Sequence, residues 1–135
     1  MKNIKAFAAA LLFSISLLFI NCTPSTDQLP TRQEVISNGK WQVNYFESGA
    51  NLTADYQNLQ LVFNANGTFN LVDGVETTSG IWNVNNDNIL QLYINTHNNT
   101  LLQLNGDWNI NECNNNVLNL QKNKAGTAQL KITKI

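Results

Sequence analysis

Apolar and polar residues alternate in short runs along most of the chain after Gly39. Clusters of Asn, Gly and Asp, which are typical turn residues, separate these runs. Because successive side chains of a strand point to opposite faces, a period of two predicts β-strands. Eight strands are predicted, over residues 41–46, 59–63, 68–72, 80–84, 89–94, 102–111, 117–121 and 129–134.

One face of these predicted strands is apolar, whereas the other carries mostly Asn, Gln, Thr and Lys, so only one face is expected to be buried. No segment between the strands is long enough for a parallel crossover helix, which favours sequential antiparallel pairing. The sequence therefore predicts an all-β fold, an eight-stranded antiparallel up-and-down barrel without unpaired edges. A two-sheet sandwich is the alternative, because alternation alone does not distinguish closure from stacking. The predicted inward residues are Trp41, Val43, Tyr45, Leu59, Leu61, Phe63, Phe69, Leu71, Trp82, Val84, Leu90, Leu92, Ile94, Leu104, Trp108, Ile110, Leu118, Leu120, Leu130 and Ile132.

A short helical turn is predicted before the first strand, over residues 30–38. Thr31 can act as its N-cap, and Glu34 follows at the spacing of a capping box. Gly39 is expected to end the turn, since glycine adopts the left-handed conformation that terminates helices.

The first 22 residues predict export from the cytoplasm. Lys2 and Lys5 precede an apolar run over residues 6–20, which is too short to span a bilayer. Cys22 follows this run directly, and residues 18–22 resemble the lipobox of bacterial lipoproteins, in which the cysteine is acylated and becomes the first residue of the mature chain. Asn21 stands where that motif usually has Gly, Ala or Ser. A plain secretory peptide or an uncleaved anchor is the alternative.

The lipobox resemblance implies three segments: a lipoprotein signal peptide over residues 1–21, a flexible tether over 22–30, and a barrel domain over 31–135. Acyl chains such as palmitate on Cys22 would anchor the protein, at ~0.8 kcal/mol for each buried CH₂ group. In many bacteria an acidic residue after the lipidated cysteine retains the protein in the inner membrane, and Thr23 is not acidic. The expected location is the outer membrane of a Gram-negative bacterium, on its periplasmic or surface face.

Charge excludes one class of partner. The chain has a net charge of −1, and removal of residues 1–21 takes away two lysines and no acidic residue, which leaves −3. Nucleic-acid binding requires a clustered basic surface, so no nucleic-acid partner is expected. Two dozen asparagines, rather than charged residues, supply most of the polarity.

Residues for catalysis or metal binding are scarce. His97 is the only histidine and lies in the polar run 95–100, where we expect an exposed loop. Cys113 is the only cysteine besides Cys22 and is expected to be a small apolar filler near a turn, with no intramolecular disulfide. No local set of metal ligands and no pair of carboxylates suited to acid–base catalysis is visible. We expect no catalytic residue, no metal, no cofactor and no enzymatic activity.

Three Gly-x-Trp motifs give the chain a family resemblance. Gly39-Lys40-Trp41, after the helical turn, resembles the signature of lipocalins. Phe63 with the turn 64–67, the second motif at 80–82 and the third at 106–108 resemble the small lipocalin-like domains of bacterial lipoproteins. The resemblance implies a lipocalin-like barrel from about residue 31 to residue 135. Lipocalins usually place an arginine from the last strand over the signature tryptophan; here Lys131 or Lys134 is the substitute, or Trp41 is simply part of the core.

Two functions remain after these exclusions, and both suit a monomer. The first is the binding of a small hydrophobic ligand in a shallow cup at the mouth of the barrel, lined by Tyr45, Phe63, Phe69, Trp82 and Trp108. The second is a structural or protein-interaction module of the envelope, whose barrel is filled by its own side chains. Six-residue strands tilted in a barrel give a height of only ~15 Å, which leaves little space for a guest.

Overall fold

The computed structural model describes residues 28–122 and 128–135. The predicted signal peptide, Cys22 and the tether as far as residue 27 lie outside the described residues. Within the described part of the chain, no helix is long and apolar enough to cross a membrane.

The described residues form a closed β-barrel with three short helices. Each strand pairs antiparallel with its sequence neighbours, and the last strand pairs with the first. The prediction of an eight-stranded antiparallel up-and-down barrel is confirmed, and the sandwich alternative is wrong. The strands are β1 (Lys40–Ser48), β2 (Gln60–Phe63), β3 (Thr68–Asp73), β4 (Glu76–Asn85), β5 (Ile89–Ile94), β6 (Gly106–Cys113), β7 (Val117–Lys122) and β8 (Ala128–Lys134). The helices are α1 (Arg32–Ser37), α2 (Thr53–Tyr56) and α3 (Asn99–Leu102).

The predicted helical turn is present as α1. Thr31 is its N-cap: the backbone N–H of Glu34 donates to Thr31 Oγ1 at 3.2 Å, and the backbone N–H of Thr31 donates to Glu34 Oε2 at 2.7 Å. These two bonds form the predicted capping box. Hydrogen bonds from Thr31 also hold the pKa of the Glu34 carboxyl below its usual value. Gly39 follows the helix with a φ of +110°, as expected for a glycine that ends it.

The barrel interior is one continuous cluster of buried apolar side chains. It contains every predicted inward residue except Tyr45 and Val84, and Val84 packs against its edge. The predicted alternation therefore assigns the faces of the strands correctly almost throughout. The cluster also contains four residues outside that pattern, namely Ile36, Phe46, Tyr56 and Ala128.

The prediction that Tyr45 faces the interior is wrong. A β-bulge lies between Val43 and Tyr45, where β1 pairs with β8. The extra residue in β1 reverses the alternation beyond it, because each residue added to a strand turns the following side chains to the other face. Phe46 is therefore fully buried, whereas Tyr45 is partly exposed and its hydroxyl donates to Glu47.

The two ends of the barrel are covered by different helices. α1 lies at one end, where Arg32 Nη1 donates to Asn88 Oδ1 of the β4–β5 turn at 2.9 Å. α2 and α3 lie in the β1–β2 and β5–β6 connections, and hence at the opposite end. We call these the α1 end and the α2/α3 end. The predicted strand over residues 102–111 begins later, at Gly106, because the Asn98 side chain accepts from the N–H groups of Thr100 and Leu101 and caps α3.

Candidate functional site

The lipocalin-like signature lies at the α1 end of the barrel. Trp41 is fully buried, and its indole Nε1 donates to the carbonyl oxygen of Ile36 in α1 at 2.8 Å. Lys134 of β8 places its ammonium 5.9 Å from the centre of the Trp41 ring. Its stem also occupies the space that a Cβ on Gly39 would need. Lys134, rather than Lys131, thus takes the position expected for a cation over the signature tryptophan, while Trp41 is part of the core.

The α2/α3 end repeats this arrangement around Trp108. The Trp108 indole is fully buried and donates to the carbonyl oxygen of Leu104, just after α3, at 2.8 Å. Lys122 of β7 lies over the ring, 4.5 Å from its centre. The Lys122 ammonium donates to the carbonyl oxygens of Gln103 and Asn105 at 2.7 and 2.6 Å. Burial lowers the pKa of Lys122 from its ordinary value.

The two arrangements match in their strand geometry as well. β1 is bulged two residues after Trp41, opposite the strand that carries Lys134. β6 is bulged two residues after Trp108, opposite the strand that carries Lys122. Each end of the barrel therefore has a helical turn, a buried tryptophan bound to a carbonyl near that turn, and a lysine across its ring.

Tyr56 connects the two helices at the α2/α3 end. Its ring lies edge-on to Phe46, with centroids 4.6 Å apart, and Phe46 in turn approaches Trp108 at 6.3 Å. The Tyr56 hydroxyl donates to the carbonyl oxygen of Thr100 in α3 at 2.6 Å. Burial, with a smaller effect of the Asp55 carboxylate, raises the pKa of Tyr56 to about 12. Tyr56 is thus the side chain that ties α2 to α3 above the core.

The other predicted cup residues pack against one another inside the barrel. Phe63 stacks on Phe69 with centroids 5.5 Å apart and meets Trp82 edge-on at 5.1 Å. The Trp82 indole donates to the carbonyl oxygen of Asn64 at 2.9 Å. Gly80 lacks the Cβ that would collide with the Phe69 ring. These three side chains and Trp108 have at most 4% of their surface exposed, so they fill the interior instead of lining an open cup.

An open groove lies on the outside of the barrel, across β4, β5 and the start of β6. Its volume is about 540 Å³. Ile81 and Tyr93, which are register partners on adjacent strands, form its apolar floor, and each exposes 59% of its surface. Of the predicted cup residues, Trp82 also contributes to this groove. The full lining is Ile81, Trp82, Asn83, Gln91, Leu92, Tyr93, Asn105, Gly106 and Asp107.

A row of hydrogen-bonded polar side chains borders this groove. Asn83 donates to Asn85 Oδ1 at 2.6 Å, Asn85 donates to Gln91 Oε1 at 2.6 Å, and Gln91 donates to Asp107 Oδ1 at 2.9 Å. In each bond the residue nearer to Asn83 donates, so the row begins at the Asn83 amide and ends at the Asp107 carboxylate. We call Asn83, Asn85, Gln91 and Asp107 the amide row. Because each member fixes the next, the row presents a preorganised polar edge.

At the end of the groove, the Asn105 side chain bonds to the backbone of β5 as the backbone of a neighbouring strand would. Its Oδ1 accepts from the backbone N–H of Ile94 at 2.6 Å, and its Nδ2 donates to the backbone carbonyl of Ile94 at 2.9 Å. The side chain thereby continues the β5–β6 ladder one step beyond the Leu92–Gly106 pair. Asn105 is therefore a positioning residue whose amide is already paired.

The groove residues other than Trp82 were not among the predicted site residues, although the sequence contains a signal for them. Ile81 and Tyr93 are large apolar residues at positions that the alternation assigns to the polar face. An exposed apolar pair on a polar face is informative about binding. That the two become neighbours depends on the β4–β5 register, which the sequence does not specify directly.

The described residues that could carry chemistry are isolated from one another. His97 is exposed, and Cys113 is half-buried, where burial raises the pKa of its thiol. A raised pKa keeps the thiol protonated and weakly nucleophilic at neutral pH. Within residues 28–122 and 128–135, no group of three or more His, Cys, Asp or Glu side chains is placed to hold a metal ion.

Comparison with known proteins identifies the fold. No protein-family model matches the sequence, and no curated protein matches it either. A crystal structure of a lipocalin-like protein from Bacteroides uniformis aligns with a TM-score of 0.55 and 13% identity, over 75% of this chain and 99% of that one. A DUF4847 family protein from Bacteroides vulgatus aligns with a TM-score of 0.57 and 17% identity, over 75% of this chain and 95% of that one. The barrel described here thus has a lipocalin-like fold.

Proposed function

We propose that this lipocalin-like barrel is a lipid-anchored, non-enzymatic binding module of the envelope of a Gram-negative bacterium. In this proposal the barrel is a scaffold filled by its own side chains, and it contacts other molecules through its outer surface. The observation that carries the proposal is the packing of the interior: Phe63 contacts Phe69 and Trp82, and Trp108, which approaches Phe46, is fully buried. Helical turns cover both ends, and at each end a buried tryptophan donates to a carbonyl in or beside a turn while a lysine lies over its ring; this supports the same conclusion.

The anchor in this proposal is an acylated Cys22, in the outer membrane. Eight residues, 23–30, lie between Cys22 and the N-cap Thr31, and this stretch spans at most about 30 Å. The chain enters the barrel at the α1 end, so the α1 end is the one nearer to the point of attachment. Mass spectrometry of the mature protein purified from its own membrane would report the acyl chains on Cys22 directly.

The absence of enzymatic activity is part of the proposal. It is supported by the exposure of His97 and by the raised thiol pKa of Cys113, which leave neither residue activated for catalysis.

A small apolar molecule inside the barrel is the second candidate function. The observation that favours it is the cover at the α2/α3 end, which consists of two single-turn helices. The Tyr56–Thr100 hydrogen bond joins the two helices, Thr53 Oγ1 accepts from the backbone N–H of Phe46, and Lys122 binds the carbonyl oxygens that follow α3. Displacement of that cover would open the interior from one end.

Titration with apolar fluorescent probes and short fatty acids separates the two candidates. Tryptophan fluorescence is the readout, because Trp82 and Trp108 lie in the interior. The self-filled barrel predicts no saturable response in the wild-type protein. Phe69→Ala is the positive control, since a large cavity lined by apolar side chains stays dry and admits apolar guests. Saturable quenching of the wild type at micromolar probe, abolished in Phe69→Trp, would overturn the self-filled barrel in favour of the second candidate.

A further inference from the structure

We propose that the outer groove across β4, β5 and the start of β6 binds a neutral saccharide. The inference rests on the proposed function in one respect, namely that the protein binds its partners from outside the barrel. The groove volume of about 540 Å³ falls within the range of small-ligand sites.

The floor of the groove suits the apolar face of a sugar ring. Tyr93 and Ile81 lie side by side on adjacent strands and expose 59% of their surface each. A pyranose presents a patch of C–H groups on one face, and these carry a small positive charge that matches the negative face of an aromatic ring. A tyrosine held on a strand also loses little side-chain entropy when it becomes covered, since it has only two side-chain torsions.

The border of the groove suits the hydroxyl groups of the same ligand. Amides offer both a donor and an acceptor, and a carboxylate accepts from two hydroxyls at once. In the amide row, Asn83 donates to Asn85 but accepts no side-chain hydrogen bond from the described residues. Asp107 uses only Oδ1 toward Gln91, so its Oδ2 is available for a ligand hydroxyl. Because the row is fixed internally, its side chains lose little freedom when a ligand binds to their remaining acceptors.

The charge and polarity of the lining argue against other ligand classes. The lining contains neither Lys nor Arg, the ammonium of the neighbouring Lys122 is already bound to two backbone carbonyls, and Asp107 would repel an anion. A purely apolar ligand would remove water from Asn83, Gln91 and Asp107 without replacing its hydrogen bonds, which is unfavourable. An organic cation could use Asp107 and the Tyr93 ring, and it therefore serves as the competing outcome in the test.

The groove also lies where a tethered protein could present it. Gly106, Asp107 and Tyr93 are at or near the ends of β5 and β6 that meet the α2/α3 end. The chain enters the barrel at the opposite, α1 end. A lipid at Cys22 would thus leave the Tyr93 side of the groove farther from the attachment point than Asn85, the member of the amide row that adjoins the β4–β5 turn.

The test is titration of the full mature protein with neutral disaccharides, namely maltose, cellobiose, lactose and diacetylchitobiose, in a detergent without a sugar headgroup. Calorimetry gives the affinity, and NMR chemical shifts locate the ligand. We expect at least one disaccharide to bind with a millimolar or lower dissociation constant and to shift the signals of Ile81, Asn83 and Tyr93. Tyr93→Ala is expected to weaken binding at least about tenfold, whereas Tyr93→Phe, which keeps the ring, retains it.

Tyr45→Ala is the matched control, because Tyr45 is a tyrosine on the outer face of β1, outside the groove lining. It is expected to leave the affinity unchanged. Failure of every disaccharide to bind, or equal binding by the wild type and Tyr93→Ala, would overturn the proposal. Tighter binding of choline than of any disaccharide would overturn it in favour of a cation site. None of these results affects the self-filled barrel, which fails only if apolar probes enter the interior.

Discussion

Replacement of Phe46 and of its neighbour Tyr45 tests the bulge in β1, because strict alternation and the observed register make opposite predictions for the two residues. Phe46 is fully buried, and its ring contacts Tyr56 edge-on and approaches Trp108. Truncation of a buried phenylalanine to alanine loses both the transfer free energy and the contacts around the resulting cavity, typically 3–5 kcal/mol. We therefore expect Phe46→Ala to lower the free energy of unfolding by about 3–5 kcal/mol.

Tyr45→Ala is expected to cost less than about 1 kcal/mol. Its side chain is partly exposed, and its hydroxyl bonds only to Glu47 within the same strand, at the surface. A hydrogen bond of this kind contributes little, because water replaces it when it is lost.

Urea unfolding followed by tryptophan fluorescence measures both effects. With a slope of about 2 kcal/mol per molar urea, Phe46→Ala should lower the midpoint by about 2 M and Tyr45→Ala by less than about 0.5 M. Equal slopes are needed for the comparison, since a changed slope would indicate a changed unfolded state. A larger loss of stability for Tyr45→Ala than for Phe46→Ala would show that β1 is not bulged and that the register of β1 against β8 is wrong.

Three further predictions concern the anchor, the core and the α2/α3 end. Cys22→Ser is expected to abolish acylation and maturation, as measured by intact mass and membrane fractionation; processing like that of the wild type would contradict the lipoprotein assignment. Trp82→Ala is expected to destabilise the protein by ~3–5 kcal/mol, whereas exposed Asn83→Ala costs under about 0.5 kcal/mol, and equal urea midpoints would contradict the register of β4. Because burial raises the pKa of Tyr56 to about 12 from 10.0, its stabilising contribution is complete below pH 10 and is lost as the pH rises toward 12. In thermal melts across this pH range, the melting temperature of Tyr56→Phe should therefore fall less between pH 10 and pH 12 than that of Tyr45→Phe. An equal fall in the two variants would refute the burial of the Tyr56 hydroxyl.

Local sequence patterns predicted most of the fold, because strand alternation and helix capping each depend on residues that are close together in the sequence. The alternation of apolar and polar residues identified all eight strands, and for β5 the predicted range, 89–94, coincides with the observed one. Thr31 and Glu34 predicted the capping box of α1, since both partners of that motif lie within one helical turn. The motif at residues 39–41 resembled the lipocalin signature but left open whether Lys131, Lys134 or neither lies over Trp41; the structure places Lys134 there, beside a fully buried Trp41.

The predicted cup shows the limit of this reasoning. Alternation states which side chains face inward, and it was correct for Phe63, Phe69, Trp82 and Trp108. It does not state how much volume these side chains leave when the barrel closes. The short strands already indicated little space for a guest, but the contacts of Phe63 with Trp82 and of Phe46 with Trp108 join residues far apart in the sequence, so the way in which the interior is filled became visible only in the folded barrel.

The sequence by itself thus determined the strands, their buried faces and the cap of α1, because each depends on residues a few positions apart. Only the tertiary structure decided the bulge that turns Phe46, instead of Tyr45, toward the interior. It also decided that Lys122 lies over Trp108 and that Ile81 and Tyr93 are neighbours in the outer groove. These features follow from the register between paired strands and from closure of the sheet. A shift of register by one residue moves every side chain of a strand to the other face, and that register is fixed by the packing of the whole barrel.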